Sequence, residues 1–375
     1  MIERILENQI KVKLFKGKVI TVVGARQVGK TTLINMMLEK EKLPYVYLNG
    51  DEPDVREILP NATSTRLKSI VGNKKIVFID EMQRIKNIGI ILKLFADTIK
   101  NVQVIATGSS AIEIANNIKE PLTGRKYEFT LFPVSFEEMV NHHGLLEERR
   151  MAMHRITFGY YPDIINHPGE EKELLKSLAD SYLYRDVLSL GLIKKPAVLQ
   201  KLLKALALQI GSEVSFNEIA QLIGADKETV ERYIDLLQKS FVIFMLPAMS
   251  GNLRSEIKKG KKIYFYDNGI RNAVLSAFDF AENRTDLGHL FENFLISERY
   301  KFLNNHRVNA EMYFWRTVQQ QEIDYVEKID GRIFAYEFKL NKKRVKFSKT
   351  FKKAYPNASL KVITMENFDE FLTTL

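Results

Sequence analysis

The feature that most restricts the fold is a glycine-containing loop between a β-type segment and a helical one. Residues 18–23, KVITVV, precede GARQVGKTT at 24–32, and LINMMLEKEK follows with helical spacing. In this order of strand, GxxxxGK[ST] loop and helix, backbone N–H groups and the positive end of a helix dipole face a phosphate group. The loop therefore predicts a nucleotide-binding α/β domain.

The residue types of the loop predict individual contacts with a nucleotide. We expect Lys30 to reach the β- and γ-phosphate oxygens, Thr31 to offer its hydroxyl to Mg²⁺, and Thr32 to continue the helix. The predicted cofactors are therefore ATP and Mg²⁺. The predicted nucleotide-binding positions of the loop are Gly24, Ala25, Arg26, Gln27, Val28, Gly29, Lys30, Thr31 and Thr32.

A second segment supports this site, because KKIVFIDEMQR at 74–84 is a buried-type strand that ends in two acids. We expect Asp80 to hold Mg²⁺ through water and Glu81 to polarise the attacking water. The alternative is a strand that merely ends in charge. The glycine loop upstream favours the catalytic interpretation.

Two further strands complete the predicted sheet, PYVYLNG at 44–50 and VQVIATGSS at 102–110. The second ends in hydroxyls, so Ser109 or Ser110 is placed to sense the γ-phosphate. Strands that alternate with helices predict a parallel sheet covered on both faces.

These segments resemble the AAA-type ATPases, with Ser109 or Ser110 in the sensor-strand position. Arg125, in PLTGRKYEFTLFPVSFEE, resembles the arginine of the LxGR segment in one prokaryotic group of these ATPases, which implies a contact with the γ-phosphate. A surface ion pair is the alternative, and the sequence leaves open whether Arg125 acts within the chain or on a neighbour. Arg185 is a second arginine candidate, with a helix-surface salt bridge as its alternative.

Composition limits the function classes. A length of 375 residues predicts several domains, and 45% hydrophobic with 27% charged residues is typical of a globular protein. The absence of cysteine excludes disulfide and thiolate chemistry. The longest apolar run, FVIFMLPAM at 241–249, is too short for a bilayer span, so we expect a cytoplasmic protein without a membrane partner. The net charge of +10 favours a polyanionic partner.

The middle of the chain predicts a helical lid followed by a winged helix. From about 137 to 210 the pattern is helical, and SFNEIAQLIGADKETVERYIDLLQKS at 215–240 has helix-turn-helix spacing. A strand, a basic loop and a second strand follow, as in a winged helix. We expect DNA contact through phosphates, with a protein-contact module as the alternative. The basic residues of the predicted wing are Arg254, Lys258, Lys259, Lys261 and Lys262.

Residues 322–339, EIDYVEKIDGRIFAYEFK, predict a hairpin that turns at Asp330-Gly331. In this register Asp324 lies opposite Glu337 and Glu322 lies opposite Lys339, all on one face. The other face is apolar and is predicted to carry Ile323, Tyr325, Tyr336 and Phe338.

The charges of this hairpin predict a metal site. Like charges directly opposite destabilise a strand pair, whereas a divalent cation between them reverses the sign of that interaction. Asp324 and Glu337 are therefore predicted Mg²⁺ ligands, with Lys339 beside a metal-bound water. The alternative is a set of solvated surface charges.

Asp324, followed after a dozen residues by Glu337-Phe338-Lys339, resembles the PD-(D/E)xK fold of restriction endonucleases and junction resolvases. The helix LGHLFENFLISERYKFL at 287–303 carries Glu292 where that fold places a helical acid, which implies four catalytic residues: Glu292, Asp324, Glu337 and Lys339. The segment KLNKKRVKFSKTFKK at 339–353 has eight lysines or arginines and no acid, and we expect it to grip DNA phosphates. A solvated basic helix is the alternative.

Over its whole length the chain resembles prokaryotic AAA-type ATPases with a restriction-endonuclease-like C-terminal domain; GYYPDII, YLYRDV, YFYDNG and the WR…EIDYV…EFK run have counterparts there. The predicted α/β organisation is a P-loop AAA-type domain at 1–140, a helical lid at 141–195, a winged helix at 196–265 and a PD-(D/E)xK nuclease-like domain at 266–375.

The predicted function is an ATPase that controls DNA engagement and metal-dependent DNA cleavage. The alternative is an ATP-dependent switch that only binds a partner. A homo-oligomer stays open.

Overall fold

The computed structural model describes residues 1–109, 122–180, 195–249, 260–279, 283–341 and 345–375. These residues form two compact units: unit 1 is Met1–Val134 with Lys239–Phe241, and unit 2 is Ser135–Gln238 with Val242–Leu375. Among the predicted positions, those that lie outside the described residues are Ser110, Arg185, Arg254, Lys258, Lys259 and residues 342–344.

Unit 1 is built on a five-stranded parallel sheet, as the sequence predicts. Its order is β2-β3-β4-β1-β5, and every neighbouring pair is parallel. The strands are β1 (Val19–Val23), β2 (Tyr45–Asn49), β3 (Ile76–Asp80), β4 (Gln103–Gly108) and β5 (Lys126–Thr130). Every residue of β1, β3 and β4 is buried, the pattern of parallel strands that have both faces covered.

Five helices in the described part of unit 1 lie between or before these strands. They are α1 (Ile5–Lys13), α2 (Lys30–Lys40), α3 (Pro53–Ile58), α4 (Ser64–Val71) and α5 (Ile88–Thr98). One apolar cluster joins side chains of α3, α4 and α5 to β1, β3 and β4, among them Leu67, Phe95 and Ile79. A short 3₁₀ turn, Met82–Arg84, follows β3 directly.

Unit 2 begins with a helical segment. Ser135 and Glu138 form a capping box at the start of its first helix, so the N-terminal N–H groups are satisfied locally. The helices are α6 (Phe136–His143), α7 (Leu145–Arg150), α8 (Ala152–Phe158), α9 (Pro162–Asn166) and α10 (Glu171–Leu178). Within the described ranges, each helix is too short or too polar to cross a bilayer.

A helical trio and a small antiparallel sheet follow. The helices are α11 (Pro196–Leu208), α12 (Phe216–Ile223) and α13 (Lys227–Lys239), and the strands are β6 (Glu213–Val214), β7 (Ile243–Pro247) and β8 (Lys261–Phe265), in the order β6-β8-β7. The Ser215 hydroxyl accepts the Glu218 N–H at 3.4 Å, and Asp226 accepts the Thr229 N–H at 2.6 Å. These caps fix where α12 and α13 begin.

The C-terminal part of unit 2 is a four-stranded sheet, in the order β12-β11-β10-β9, with flanking helices. Its strands are β9 (Ala310–Arg316), β10 (Glu322–Ile329), β11 (Arg332–Phe338) and β12 (Ser359–Ile363); its helices are α14 (Asn268–Leu275), α15 (Leu287–Asn305), α16 (Lys349–Ala354) and α17 (Phe368–Thr373). The antiparallel β10–β11 hairpin turns at Asp330 (φ 47°) and Gly331 (φ 79°), with Tyr325 opposite Tyr336. Turn and register agree with the prediction.

The sequence prediction assigns one residue of this hairpin, Ile323, to the wrong face. Tyr325, Tyr336 and Phe338 pack around Phe371 of α17, with ring centroids 4.7–6.1 Å away. Ile323, however, belongs to the opposite cluster with Val326, Ala335, Trp315 and Phe351. A β-bulge between Ile323 and Val326 in the β9–β10 pairing shifts the alternation. The division of the chain into four domains stays a prediction.

Candidate functional site

Unit 1 presents its glycine loop at the end of β1. A Cβ atom at Gly24 would overlap the carbonyl oxygen of Leu131, so only glycine fits this close approach. Gly29 has φ 92°, a left-handed conformation that favours glycine, and it directly precedes α2. The two glycines thus give the loop its path into the helix N-terminus.

Lys30, the first residue of α2, is buried within the loop that precedes it. Its ammonium donates hydrogen bonds to the carbonyl oxygens of Gly24, at 3.0 Å, and Ala25, at 2.7 Å. The side chain is 5% exposed. A cation is therefore held at the helix N-terminus, where backbone N–H groups already favour an anion.

Asp80 ends β3 and accepts hydrogen bonds from its two neighbouring strands, β2 and β4, from α2 and from the backbone of the next residue. One carboxylate oxygen accepts the hydroxyls of Thr31, at 2.8 Å, and Tyr47, at 3.0 Å. The other accepts the Thr107 hydroxyl and the Glu81 N–H, the latter at 3.0 Å. Paired hydroxyl and carboxylate oxygens are the donor set that suits Mg²⁺, so Thr31 and Asp80 fit the predicted ion.

Glu81, Gln83 and Ser109 form a hydrogen-bonded trio beside Asp80. Glu81 has φ 48°, which is uncommon outside glycine. The Gln83 amide donates to the Glu81 carboxylate and to the Ser109 hydroxyl, the latter at 2.9 Å, and the Ser109 N–H donates back to the Gln83 oxygen at 3.3 Å. The trio links the predicted catalytic acid to the predicted sensor serine.

Sequence reasoning missed Tyr47, Gln83 and Thr107. Tyr47 and Thr107 lie near the C-terminal ends of β2 and β4, the two strands that flank β3. Polar residues at the ends of flanking strands converge on one edge of a parallel sheet, so the strand order would have identified both. Burial and the nearby Asp80 carboxylate raise the pKa of the Tyr47 hydroxyl.

Arg125 lies at the opposite edge of the same sheet. Lys126 is opposite Val19, the first residue of β1, whereas the glycine loop follows the last residue of that strand, about 13 Å further along. The Arg125 guanidinium contacts Asp97 at 2.7 Å, the surface ion pair given above as the alternative. Contact of Arg125 with a nucleotide in its own loop is not supported, and a role on a neighbouring copy stays a prediction.

In unit 2 the hairpin brings together Asp324, Glu337 and Lys339, which we call the hairpin cluster. The Lys339 ammonium lies 3.2 Å from a Glu337 oxygen and 3.5 Å from an Asp324 oxygen. The same Asp324 oxygen accepts the Phe338 N–H at 2.7 Å. Two carboxylates from neighbouring strands therefore converge on one ammonium group.

The environment of the cluster changes the pKa of Glu337 and of Lys339. Burial, followed by the Asp324 charge, raises the pKa of Glu337 to about 7. Burial lowers the pKa of Lys339, but the two carboxylates outweigh it and raise the pKa above its usual value. An acid that is half protonated at neutral pH beside an anion is the environment in which a divalent cation can replace the proton.

Glu292 and Lys262 contact each other, an arrangement that the sequence does not predict. Lys262, predicted as a residue of the basic wing, is 3% exposed. Its ammonium lies 2.5 Å from Glu322 and 3.2 Å from Glu292, and Glu292 also accepts the Tyr264 hydroxyl at 2.6 Å. Glu322 is thus paired with Lys262 rather than with the predicted Lys339. A buried lysine needs such counter-charges, which explains why it is not a wing contact.

Metal-ligating groups are limited in the described part of the chain, where no three His, Asp or Glu side chains are arranged to hold one ion. The hairpin cluster offers two carboxylates, so Glu292 does not join it as a third ligand. Asp324 and Glu337 still fit a divalent cation that retains several waters, the usual coordination of Mg²⁺.

The described part of the basic segment lies on the surface. Lys346, Lys349, Lys352 and Lys353 are exposed, whereas Phe351 is buried in the apolar cluster beneath α16. Phe351 therefore anchors the helix and its lysines face solvent.

Three family models match the chain in succession. An AAA domain matches residues 16–140, a domain of unknown function (DUF8612) matches 149–281, and another (DUF4143) matches 287–373. The predicted winged helix, nuclease-like domain and DNA contact remain predictions, because the second and third families have no known function.

The chain also resembles proteins from several prokaryotes. An uncharacterized protein of Methanocaldococcus jannaschii is 26% identical over 96% of this chain and 85% of its own length. Uncharacterized proteins of Mycobacterium tuberculosis, 24% identical, and Haemophilus influenzae, 23% identical, match 87% and 68% of this chain and 71% and 68% of their own lengths. Together with the parallel sheet, the AAA match supports the prediction of an AAA-type ATPase in unit 1.

Proposed function

We propose that the chain is an AAA-type ATPase whose nucleotide state controls DNA engagement and metal-dependent DNA cleavage by its C-terminal segment. In this proposal residues 196–265 act as a winged helix and residues 266–375 as a PD-(D/E)xK-type nuclease. The observation that carries the cleavage half is the convergence of Asp324 and Glu337 on Lys339, within 3.5 Å.

The ATPase half rests on the donors around Asp80 and on Lys30. The loop and Lys30 would bind the phosphates, Thr31 and Asp80 would hold Mg²⁺, and Glu81 would orient and deprotonate a water. When bound, Mg²⁺ supplies charge neutralisation to the phosphates. The Gln83 amide donates to the Glu81 carboxylate and to the Ser109 hydroxyl, which would hold these two groups together.

The cleavage half rests on the hairpin cluster. The Phe338 N–H orients the Asp324 carboxylate, and Asp324 with deprotonated Glu337 would hold a divalent cation. When bound, a divalent ion supplies electrostatic stabilisation to a reacting phosphodiester. The Lys339 side chain is 36% exposed, so its ammonium can reach a phosphate oxygen while it remains near both carboxylates.

A nuclease assay tests the cleavage half directly. Purified protein is incubated with Mg²⁺ or Mn²⁺ and linear, branched or single-stranded DNA, with and without ATP. We expect cleavage by the parent and a loss of at least about a hundredfold in Asp324→Ala. The control is Glu311→Ala, because Glu311 lies on the adjacent strand, is exposed, and pairs only with groups outside the hairpin cluster, Lys328 and Tyr313. Uncut DNA of every kind would contradict the proposal.

A nucleotide-binding assay tests the ATPase half. We expect Lys30→Ala to abolish ATP binding, because it removes the cation that the loop surrounds. Lys40→Ala is the matched control, since Lys40 ends the same helix and contacts Glu3 and Glu7 instead. Retained ATP binding in Lys30→Ala would contradict the assignment of the glycine loop as the ATP-binding site.

A second function is favoured by one observation, the engagement of Glu292 by Lys262 and Tyr264. With its helical acid neutralised in this way, the C-terminal segment would act as a docking surface in an ATP-dependent switch that binds without cleaving. This function predicts nucleotide-dependent partner or DNA binding that is unchanged in a double variant, Asp324→Ala with Glu337→Ala.

A further inference from the structure

Basic residues collect at the edge of the unit 1 sheet that lies opposite the glycine loop. All strands of a parallel sheet begin at one edge, and β3, β4, β1 and β5 are neighbours there. With strands about 4.8 Å apart, the four beginnings span about 14 Å. The residues that precede or open these strands are Lys74, Lys75, Lys100, Lys16, Lys18, Arg125 and Lys126, which we call the basic edge.

The basic edge carries a surplus of positive charge at the surface. Lys16, Lys74, Lys75 and Lys100 are all exposed. Arg125 and Lys126 have carboxylate partners in Asp97 and Glu128, so these two pairs add no net charge. The surplus therefore comes from the lysines before β1, β3 and β4, three strands that are neighbours in the sheet.

An exposed aromatic ring lies on the same edge. Phe15 is 48% exposed, and its φ of 58° is a rare conformation for a bulky residue. A hydrogen bond of 2.7 Å from the Phe15 N–H to the Gln103 side chain holds it there. Phe15 lines a cavity of about 150 Å³ together with Phe95, Ile99 and other residues of this edge, including Lys18 and Lys100.

A second ring extends this aromatic character. The ammonium groups of Lys13 and Lys18 lie 5.1 and 5.2 Å from the centre of the Tyr127 ring. Along the edge, lysines thus lie beside one exposed ring, Phe15, and one partly buried ring, Tyr127. This combination binds unpaired bases by stacking and their phosphates by charge.

We infer that the basic edge binds single-stranded nucleic acid, with phosphates along the lysine row and a base against Phe15. Charge complementarity selects a polyanion. The accessible ring selects unpaired bases, because bases within a duplex are stacked on one another and cannot reach it. The inference is independent of the cleavage proposed above, since it uses neither the hairpin cluster nor the loop.

The test measures the fluorescence anisotropy of labelled oligo-dT with the full chain over a range of salt concentrations. The edge variant is Lys75→Gln with Lys100→Gln. The control is Lys86→Gln with Lys93→Gln, two exposed lysines of unit 1 outside the basic edge. Each lost phosphate contact lowers the slope of log K against log salt by about 0.7, so we expect a decrease of about 1.4 in the edge variant and none in the control. Both variants keep the lysines of α16, so a difference between them reports the basic edge.

The aromatic contact is tested separately. We expect Phe15→Ala to weaken oligo-dT binding about tenfold and to leave duplex binding unchanged, and Phe15→Tyr to retain oligo-dT binding. Equal slopes in the edge and control variants would overturn the inference, as would a parent that does not bind oligo-dT. If polyglutamate competes as well as oligo-dT and Phe15→Ala has no effect, the partner is an acidic protein and the inference is also overturned.

Discussion

Two pairs of acids can be compared, Asp80 with Glu81 in unit 1 and Asp324 with Glu337 in the hairpin cluster. The surroundings of the two pairs differ. Asp80 accepts hydrogen bonds from three hydroxyls and one backbone N–H, all of them neutral donors. Asp324 and Glu337 instead face each other and share one ammonium, that of Lys339. Neutral donors fix one carboxylate in place, whereas the hairpin holds two like charges together.

The two regions therefore differ in how each would form a cation-binding site. Around Asp80 the hydroxyls orient the carboxylate, and in the proposed site Thr31 would supply a further oxygen to the ion. In the hairpin cluster, burial and the Asp324 charge raise the pKa of Glu337, so in the proposed metal site a proton would have to leave before a divalent ion could bind. The same substitution, glutamate to glutamine, should therefore affect catalysis in one region and pH-dependent stability in the other.

The largest effect is expected for Glu81→Gln. Glutamine keeps the size of the side chain but cannot accept a proton from water, so we expect ATP turnover to fall about a hundredfold or more while ATP binding is retained. Steady-state ATPase rates and equilibrium ATP binding measure the two quantities. Glu39→Gln on the exposed face of α2 is the control. Turnover close to that of the parent would show that Glu81 is not the base.

In the hairpin cluster, Glu337→Gln should change stability with pH. The folded-state pKa of about 7 lies above the ordinary 4.5, so this stabilising contribution is complete below pH 4.5 and is lost as the pH rises through 7. The parent should lose up to about 3 kcal/mol between pH 5 and 8 in EDTA, a loss that the neutral glutamine avoids. Trp315, the single tryptophan, packs in the adjacent cluster and reports unfolding in urea.

The control for this measurement is Glu311→Gln, an exposed acid on β9 that should leave the pH dependence of the parent unchanged. Only the difference between each variant and the parent is compared, so the titration of other groups cancels. Parallel pH profiles of parent and Glu337→Gln would argue against a raised pKa in the cluster.

Local signals explain what the sequence could predict. The loop at 24–32 and the Asp330-Gly331 turn each determine their conformation within a few residues, so the strand-loop-helix order and the hairpin register were predicted correctly. The convergence of Asp324 and Glu337 follows from that register alone. Their predicted roles stay predictions.

Contacts between distant segments had no such signal. The basic sequence neighbours of Lys262 predict a place on a basic wing. Its buried ammonium instead pairs with Glu292 and Glu322, which are 30 and 60 residues further along the chain. The displacement of Ile323 depends on a bulge set by pairing with β9, which the alternating pattern of β10 does not encode. Tyr47 could be placed beside Asp80 only after the strand order was known.

A smaller effect is expected for Tyr47→Phe. The variant keeps the ring against Phe78, 5.2 Å between centroids, but removes one donor to Asp80. Loss of one hydrogen bond of about 1 kcal/mol should raise the Mg²⁺ concentration for half-maximal ATPase about fivefold and leave ATP binding in EDTA unchanged. Tyr45→Phe on the same strand, whose hydroxyl contacts Asn35, is the control. If Tyr47→Phe and Tyr45→Phe show the same Mg²⁺ dependence, the Tyr47 hydroxyl does not influence Mg²⁺ binding.

The smallest effect is expected for Arg125→Ala. Arg125 and Asp97 are 41% and 40% exposed, so breaking their pair should cost less than about 1 kcal/mol of stability, and Asp97→Ala should cost the same. Because Arg125 lies at the sheet edge opposite the loop, ATP turnover in dilute protein should be unchanged in both variants. The contrary result would be a turnover per molecule that rises with protein concentration in the parent and in Asp97→Ala but not in Arg125→Ala. Both variants break the ion pair, but only Arg125→Ala removes the guanidinium. Such a result would therefore show that the arginine serves the site of a neighbouring copy.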